Sequence, residues 1–442
     1  MKKNYFVLLA VLGIALSACS SPNKSESKSQ TSSLPDFNLE IELLNDIQGL
    51  FDTQTTTQSS YLHDDYKNID QYGNGATENS KPNALDFAWR IDSVDAELTG
   101  LKLNIYELKD DERVDTVTYL LDKDANNASV TNFKTDTYYE WSITAISDDK
   151  SVESEPVRFH TEDGTVRFID IDGVSNVRDC GGWTGLDGKK IKQGLLYRGE
   201  EFNKQNYGCT DRQTSSSSVT DPTIVDPDES IERAKEKPYG QKITAKGINT
   251  VVNELKIKTE VDIRGYETYD YETRVNDHPT ECGGLHDGRG IILDINYVIN
   301  PVHTNRDKIY YDNYGKAACK KFFSMLADKD TYLPVYFHCA QGKDRTGFLA
   351  YLFEAFLGCS NEDMMRDYLL SNLSTTGSVS ISKINNNYNY VDYLDGKEVS
   401  TQSGVKYQAE GETTAERAYN YLLSCGLTNE QLDSIRETFL ED

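Results

Sequence analysis

Positive charge is scarce in this chain of 442 residues: 46 lysines and arginines stand against 72 aspartates and glutamates, a formal net charge of −26. Such a field repels polyanions, which excludes nucleic acid and an anionic membrane face as partners for the bulk of the surface. An anionic substrate has to be captured by a local cluster of donors, not by long-range steering. Long apolar runs are also missing. The run from Tyr5 to Leu16 is too short for an ordinary spanning helix. Histidine is rare, at six, and neither the histidines nor the cysteines fall at metal-ligand spacings, so no metal and no cofactor is expected. The eight cysteines show no tight framework spacing, which argues against a small disulfide scaffold.

What is present begins with an export signal. Lys2-Lys3 gives a basic start, the apolar run follows, and Leu16-Ser17-Ala18-Cys19 resembles the bacterial lipobox, in which the peptide is cut before the cysteine and the cysteine is acylated. Residues 1–18 read as a lipoprotein signal peptide, Cys19 as the lipidation site, and 19–37, rich in Ser, Lys and Thr, as a flexible tether. The expectation is an exported bacterial lipoprotein anchored at the cell surface or on the periplasmic face; a plain secretory peptide with an incidental cysteine is the alternative. Residues 38–63 carry no assigned role. Cys319 and Cys359 sit on apolar helical patterns and read as core, whereas Cys209 and Cys282 lie in polar loops where they could pair.

Residues 64–162 alternate with period two: Leu85, Phe87, Trp89, Ile91, then Leu101, Leu103, Ile105, then Tyr139, Trp141, Ile143, Ala145. The stretch Phe133-x-Thr135-x-Thr137-x-Tyr139 resembles the turn and tyrosine corner of fibronectin type III domains, with Thr135 where proline is usual. An all-β sandwich is therefore expected, either as a spacer from the membrane or as the docking site of a surface partner. From residue 165 to 442 apolar runs alternate with helical patterns, the mark of an α/β domain with a central sheet flanked by helices. Ile243 to Leu255 predicts a helix, Thr259 to Ile263 a strand, and Asp312 to Leu326 a helix beside the strand that ends at Cys339. Two long polar segments, 203–241 and 374–414, interrupt this rhythm, and either could cover the site as a lid.

The chemistry concentrates in Val335-Tyr336-Phe337-His338-Cys339-Ala340-Gln341-Gly342-Lys343-Asp344-Arg345-Thr346-Gly347, an apolar strand, a short loop and the start of a helix. Such a loop turns successive N–H groups inward and cradles an anion. Cys339 at its mouth faces those dipoles and Arg345, so its thiol should ionise below the ordinary ~8.5. Arg345 has the planar fork that grips two phosphate oxygens at once. Gly342 permits close approach, and Thr346 puts a hydroxyl near the sulfur. Of the eight cysteines, Cys339 is the one followed by an arginine six positions on. The chemistry this suits is phosphoryl transfer to a thiolate.

His338 to Gly347 closely resembles the signature of cysteine-dependent protein tyrosine phosphatases, in the G-K-D-R form of a bacterial branch that handles phosphotyrosine and, in some members, phosphoinositides. Asn176-Val177-Arg178-Asp179-Cys180-Gly181-Gly182 resembles that branch's opening motif, Val261-Asp262-Ile263-Arg264 its D-L-R strand, and Arg366-Asp367-Tyr368-Leu369-Leu370-Ser371-Asn372 the stretch after the catalytic loop. The resemblance implies a phosphocysteine intermediate on Cys339. It places the equatorial phosphate oxygens on Arg345 and the amides of Ala340, Gln341, Gly342 and Lys343, gives Thr346 the leaving sulfur to assist, and leaves His338, Arg178 and Asp179 as supports.

A general acid is needed for the leaving oxygen, and the W-P-D loop that supplies it in classical members is absent. Asp344 is the first candidate, Asp262 the second and Asp294 a distant third; the competing role for Asp262 is to orient Arg264 or Arg178. Lys343, a second cation in the loop, would favour substrates with more than one phosphate, unless it is a solvated surface lysine. Three functions stand open: a phosphotyrosine phosphatase, a phosphoinositide or inositol-phosphate phosphatase of the same mechanism, and an inactive phosphate-binding surface module.

Overall fold

The computed structural model describes residues 39–44, 50–93, 97–148, 150–203, 242–264, 295–300, 302, 313–382, 384, 390–400 and 404–441. The signal segment with Cys19, the tether, Cys209, Cys282 and Asp294 lie outside these residues, as does most of 203–241.

Nine strands make two sheets in the N-terminal part: β1 (Leu39–Leu43), β2 (Leu50–Phe51), β3 (Leu85–Ser93), β4 (Gly100–Lys109), β5 (Glu112–Leu121), β6 (Asn127–Val130), β7 (Tyr138–Ser147), β8 (Lys150–Glu153) and β9 (Val157–Thr161). One sheet runs β1-β3-β6, the other β2-β9-β7-β4-β5 with β8 on β7. Alternate residues share a face, so Phe87 and Trp89 of the first sheet meet Leu103, Trp141, Ile143 and Phe159 of the second in one buried cluster. Phe87 and Trp141 pack edge to face with centroids 4.9 Å apart. Tyr139 accepts a hydrogen bond at its hydroxyl from the Lys134 amide, 2.9 Å, and so ties the chain corner before β7.

The expected start of this unit at residue 64 differs from the structure at both ends of the 38–63 stretch. Strand β1 pairs in register with β3, Leu43 opposite Trp89, and its alternating Leu39, Ile41 and Leu43 close the sandwich core. Helix α1 (Thr56–Leu62) and the following turn, by contrast, leave the sandwich: Tyr61 and Ile69 are buried in the core of the C-terminal part, where Arg366 donates to the Tyr61 and Asp64 carbonyls.

The C-terminal part is built on a five-stranded sheet in the order β10-β11-β14-β12-β13, where β10 is Arg178–Asp179, β11 Leu196–Gly199, β12 Thr259–Asp262, β13 Asn296–Ile299 and β14 Val335–His338. All pairings but β10–β11 are parallel, and the central β14 is buried at every residue, as its continuous Val-Tyr-Phe run requires. Helix α2 (Ala245–Asn249) continues as a wider turn through Glu254, in place of a uniform helix to Leu255. Helix α3 (Asn313–Ala327) sets Phe322 and Phe323 in the core, Phe322 against Phe337 at 5.0 Å. Helix α4 (Asp344–Phe356) is buried from Thr346 onward, and α5 (Asn361–Leu369), α6 (Thr414–Ser424) and α7 (Asn429–Phe439) enclose the same core.

The 374–414 segment is not a free polar flap. Val379, Ile384, Tyr390 and Leu394 anchor it in the main core, because its few apolar residues are spaced to face inward between the polar ones. Among the described residues no helix is long and apolar enough to cross a membrane.

Candidate active site

Strand register brings the site together. His338 lies opposite both Gly199 of β11 and Asp262 of β12, so the carboxyl ends of three parallel strands finish level, and Cys339 follows on the middle one. Open α/β sheets bind ligands at that edge.

The loop from Cys339 to Lys343 is held by its carbonyls, each bound from outside. His338 Nδ1 donates to the Cys339 carbonyl at 3.0 Å, the Glu201 amide to that of Ala340 at 3.5 Å, Asn176 Nδ2 to that of Gln341 at 3.0 Å, and Arg198 Nη2 to that of Gly342 at 3.0 Å. The Lys343 carbonyl accepts the Gly347 amide in the first turn of α4. With the oxygens drawn outward, the amides of Gln341 and Thr346 are turned to the Cys339 sulfur. Gly342 is at φ 68°, and a Cβ there would lie 2.3 Å from the Gly199 carbonyl oxygen, so no side chain fits where the loop crosses β11.

Cys339 is buried at 4% exposure. Burial pushes its thiol up, but the Arg345 charge, a hydrogen bond with the Thr346 hydroxyl and the amides of Thr346 and Gln341 outweigh that and hold it below its ordinary value. The Thr346 hydroxyl also accepts the Cys339 amide at 2.8 Å, which fixes it beside the sulfur. Arg345 and Asp344 are half-buried in the first turn of α4, Ala340 is half-buried and Gln341 is exposed.

Both ring nitrogens of His338 face oxygen partners, the Cys339 carbonyl at 3.0 Å and Glu260 Oε1 at 2.9 Å, an arrangement that favours the protonated ring. Burial lowers its pKa, yet Asp262 and Glu260 raise it further, for a net upward shift. It orients the loop and is out of contact with the mouth.

Asp262 does not fit the part of a proton donor. It is fully buried; burial alone would raise its carboxyl, but Arg264 and the nearby His338 charge override this, and Arg264 grips it through the backbone amide, Nε and Nη2 while Tyr297 donates at 2.7 Å. The balance takes it down to about 2. Its role is the competing one, orienting Arg264, whose Nη1 holds Glu201 at 2.8 Å.

Arg178 and Asp179 are both buried on β10. Arg178 Nε donates to Asp367 at 2.7 Å and its Nη1 to Asn176; Arg198 pairs with the other oxygen of Asp367. One buried carboxylate thus holds Arg198, which itself binds the Gly342 carbonyl, and Arg178, whose partner Asn176 binds the Gln341 carbonyl. Asp179 accepts from the amides of Gly181 and Gly194 and from Arg167.

Lys343 departs from the expectation of a phosphate contact. It is 5% exposed, and its Nζ donates to the carbonyls of Thr376 at 2.6 Å and Gly377 at 3.1 Å, away from the loop interior. A solvated lysine does not describe it, because its ammonium is buried on those two carbonyls.

Four supporting residues went unassigned from sequence: Asn176, Arg198, Asp367 and Glu260. Asn176 and Asp367 lie within segments that carry the resemblance, which was the signal available; Arg198 has only its place on β11, and Glu260 only its place two residues before Asp262. Among the described residues no cluster of His, Cys, Asp and Glu could hold a metal, and Cys180, Cys319, Cys339, Cys359 and Cys425 are free thiols.

A family model described as "Tyrosine phosphatase family" matches residues 169–441. A protein of Cupriavidus necator named "Putative tyrosine-protein phosphatase" is 24% identical over 210 residues, 46% of this chain; the match spans 62% of that protein's length. A solved structure described as "Myokine structure" aligns with 20% of this chain and 90% of its own at 22% identity, with a TM-score of 0.16, too low to carry any argument.

Proposed function

This chain belongs to the tyrosine phosphatase family, and from that premise we propose that it hydrolyses phosphotyrosine in proteins through a phosphocysteine on Cys339. One observation carries the reading: a cysteine whose thiol is held below its ordinary value, at the head of a loop whose carbonyls are all bound from outside.

The Cys339 thiolate attacks phosphorus in line, forming the S–P bond as the bond to the phenolic oxygen breaks. Arg345 and the loop amides bind the equatorial oxygens, where charge gathers in the transition state. Asp344, at the first turn of α4, gives its proton to the departing oxygen, and Asp262 is too firmly ionised to compete. Water then attacks phosphorus, Asp344 takes back a proton, and the S–P bond breaks as the Thr346 hydroxyl supports the leaving thiolate. Inorganic phosphate leaves and the free enzyme returns.

We assign the N-terminal unit to a fibronectin type III-like sandwich, on the strength of its two-sheet core and the Tyr139 corner, as a spacer or docking module. The anchor is placed at Cys19, on the lipobox resemblance, in an exported lipoprotein.

The test is an assay of the full chain in detergent with reductant and chelator, on phosphotyrosyl peptide, phosphoseryl peptide and phosphoinositide. The expected result is phosphotyrosine turnover that disappears in Cys339→Ser. Turnover that survives in that variant, or phosphate binding with no turnover on any substrate, overturns the reading.

A further inference from the structure

Residues 73–79 lie outside the family-matched region, yet they are laid along the segment that holds Lys343. The Gly75 amide donates to the Asn372 carbonyl at 2.8 Å, the Gly377 amide to the Gly75 carbonyl at 3.0 Å, and the Asn79 amide to the Leu373 carbonyl at 2.6 Å. The approach is as close as backbone allows. A Cβ on Gly75, itself at φ 77°, would lie 2.2 Å from the Ser378 nitrogen, and one on Gly73 would lie 2.4 Å from the Asn372 oxygen. Glu78 finishes the strap by accepting the hydroxyls of Ser175, at 2.7 Å, and Thr375, at 3.3 Å.

We propose that the Gly73–Asn79 strap is a positioning element of the catalytic loop: by fixing the Thr376 and Gly377 carbonyls it keeps Lys343 off the substrate, and the site takes one isolated phosphate ester in preference to adjacent phosphates. The proposal rests on the phosphatase reading above and adds to it which substrates are refused. Two features act in the same direction. The ammonium that a second phosphate would need is bound to the Thr376 and Gly377 carbonyls. Where such a phosphate would look for a partner on the Ser175–Asn176 side, it meets carboxylates: Glu78 on the Ser175 hydroxyl, and Glu200, which accepts the Ser175 amide at 3.3 Å and is already paired with Lys242 at 2.5 Å. Asn176 is the neighbour that holds the Gln341 carbonyl, so these carboxylates stand one residue from the loop's own support. Like charges there penalise a second dianion and leave a single phosphate, already matched by Arg345 and the amides, unaffected.

The experiment uses the full chain in detergent and two readouts. First, the rate at which an amine-reactive acetylating ester modifies Lys343 is followed by peptide mass spectrometry. The wild type is expected to react about tenfold more slowly there than at Lys397, whose side chain is 62% exposed, and Gly75→Val to lose that protection. Second, kcat/KM is compared for a phosphotyrosyl peptide and a soluble vicinal inositol bisphosphate. The ratio should stay within about twofold in Lys343→Met and move about tenfold toward the bisphosphate in Gly75→Val. Acetylation of wild-type Lys343 as fast as Lys397, or a selective loss of bisphosphate turnover in Lys343→Met, overturns the proposal; both are read without Gly75→Val, should that variant not fold. An enzyme inactive on both esters would sink the phosphatase reading, and the acetylation rates would still decide on the strap.

Discussion

At the scale of single residues, environment separates carboxylates that the sequence presents as equivalent. Asp344 and Asp262 are both aspartates beside a phosphatase-type loop, but Asp262 is locked to Arg264 and Tyr297 and driven down to about 2. A folded value below the unfolded ~3.9 means a stabilisation that is complete above that value and lost as pH falls through about 2. Asp262→Asn is therefore expected to cost about 2 kcal/mol at pH 7 in urea melts, a gap that narrows between pH 4 and pH 2. Asp344→Asn should instead lose little stability but about 10²-fold or more in kcat on phenols of high pKa. Equal kinetic behaviour of the two variants would remove Asp344 as the acid. Cys339 offers a third check at this scale. Alkylation of its thiolate should show a midpoint below the ordinary ~8.5, and a midpoint at or above it would contradict the arrangement of Arg345 and Thr346.

At the scale of elements, the catalytic loop owes its shape to neighbours far away in sequence. Asn176 precedes β10, Arg198 is the last but one residue of β11, and Asp367 on α5 holds Arg178 and Arg198 together. Asp367→Ala leaves two buried guanidinium groups unpaired and is expected to destabilise the fold by about 3–5 kcal/mol in denaturant titration. Asn176→Ala releases the Gln341 carbonyl and the Ser371 hydroxyl and takes an acceptor from Arg178; it should lower kcat/KM on phosphotyrosyl peptide while stability falls by about 1–3 kcal/mol. An unchanged kcat/KM would show that the amides are aimed without this support. The strand and helix around Cys339 were legible in sequence, because Val335 to Phe337 is apolar without break and Phe348 to Leu352 continues past a Gly and a Thr suited to the turn. The partners of each carbonyl were not legible, since hydrogen bonds between distant segments leave no local pattern. Lys343 shows this most clearly: its sequence position says loop cation, and its bonds say structural tie.

At the scale of the whole molecule, the sandwich and the sheet domain share a polar seam. Asn132, at φ 69°, accepts the Asp170 amide and donates to the Asp170 carbonyl, while its own carbonyl takes Arg167 Nε. Gln193 exchanges hydrogen bonds with Thr135, and Lys256 pairs with Asp115. Asn132 is buried there, so its removal leaves the Asp170 amide and carbonyl without their partner, whereas the Lys256–Asp115 pair is exposed and adds little. A single calorimetric transition is expected for the wild type, with separate melting of the two parts in Asn132→Ala; one transition in both would place the coupling elsewhere. The excess of acid over base bears on salt response. Because the phosphate contacts proposed here are local, kcat/KM for a neutral phosphotyrosyl peptide should change little between low and physiological salt.

By itself the sequence determined the two-part layout, the period of each sheet, and the chemistry-bearing string from His338 to Gly347, because these are properties of neighbouring residues: alternation, apolar runs, and a cysteine and an arginine six apart. Tertiary structure decided what each charged group near that string is worth. It took Asp262 out of proton transfer, bound Lys343 to carbonyls, drew Tyr61 and Ile69 into the second core, and added β1 to the first. The reason is the range of the forces involved. Propensity and hydrophobic pattern act within a few residues, whereas the charge state and direction of a buried side chain are set by whichever distant segment packs against it.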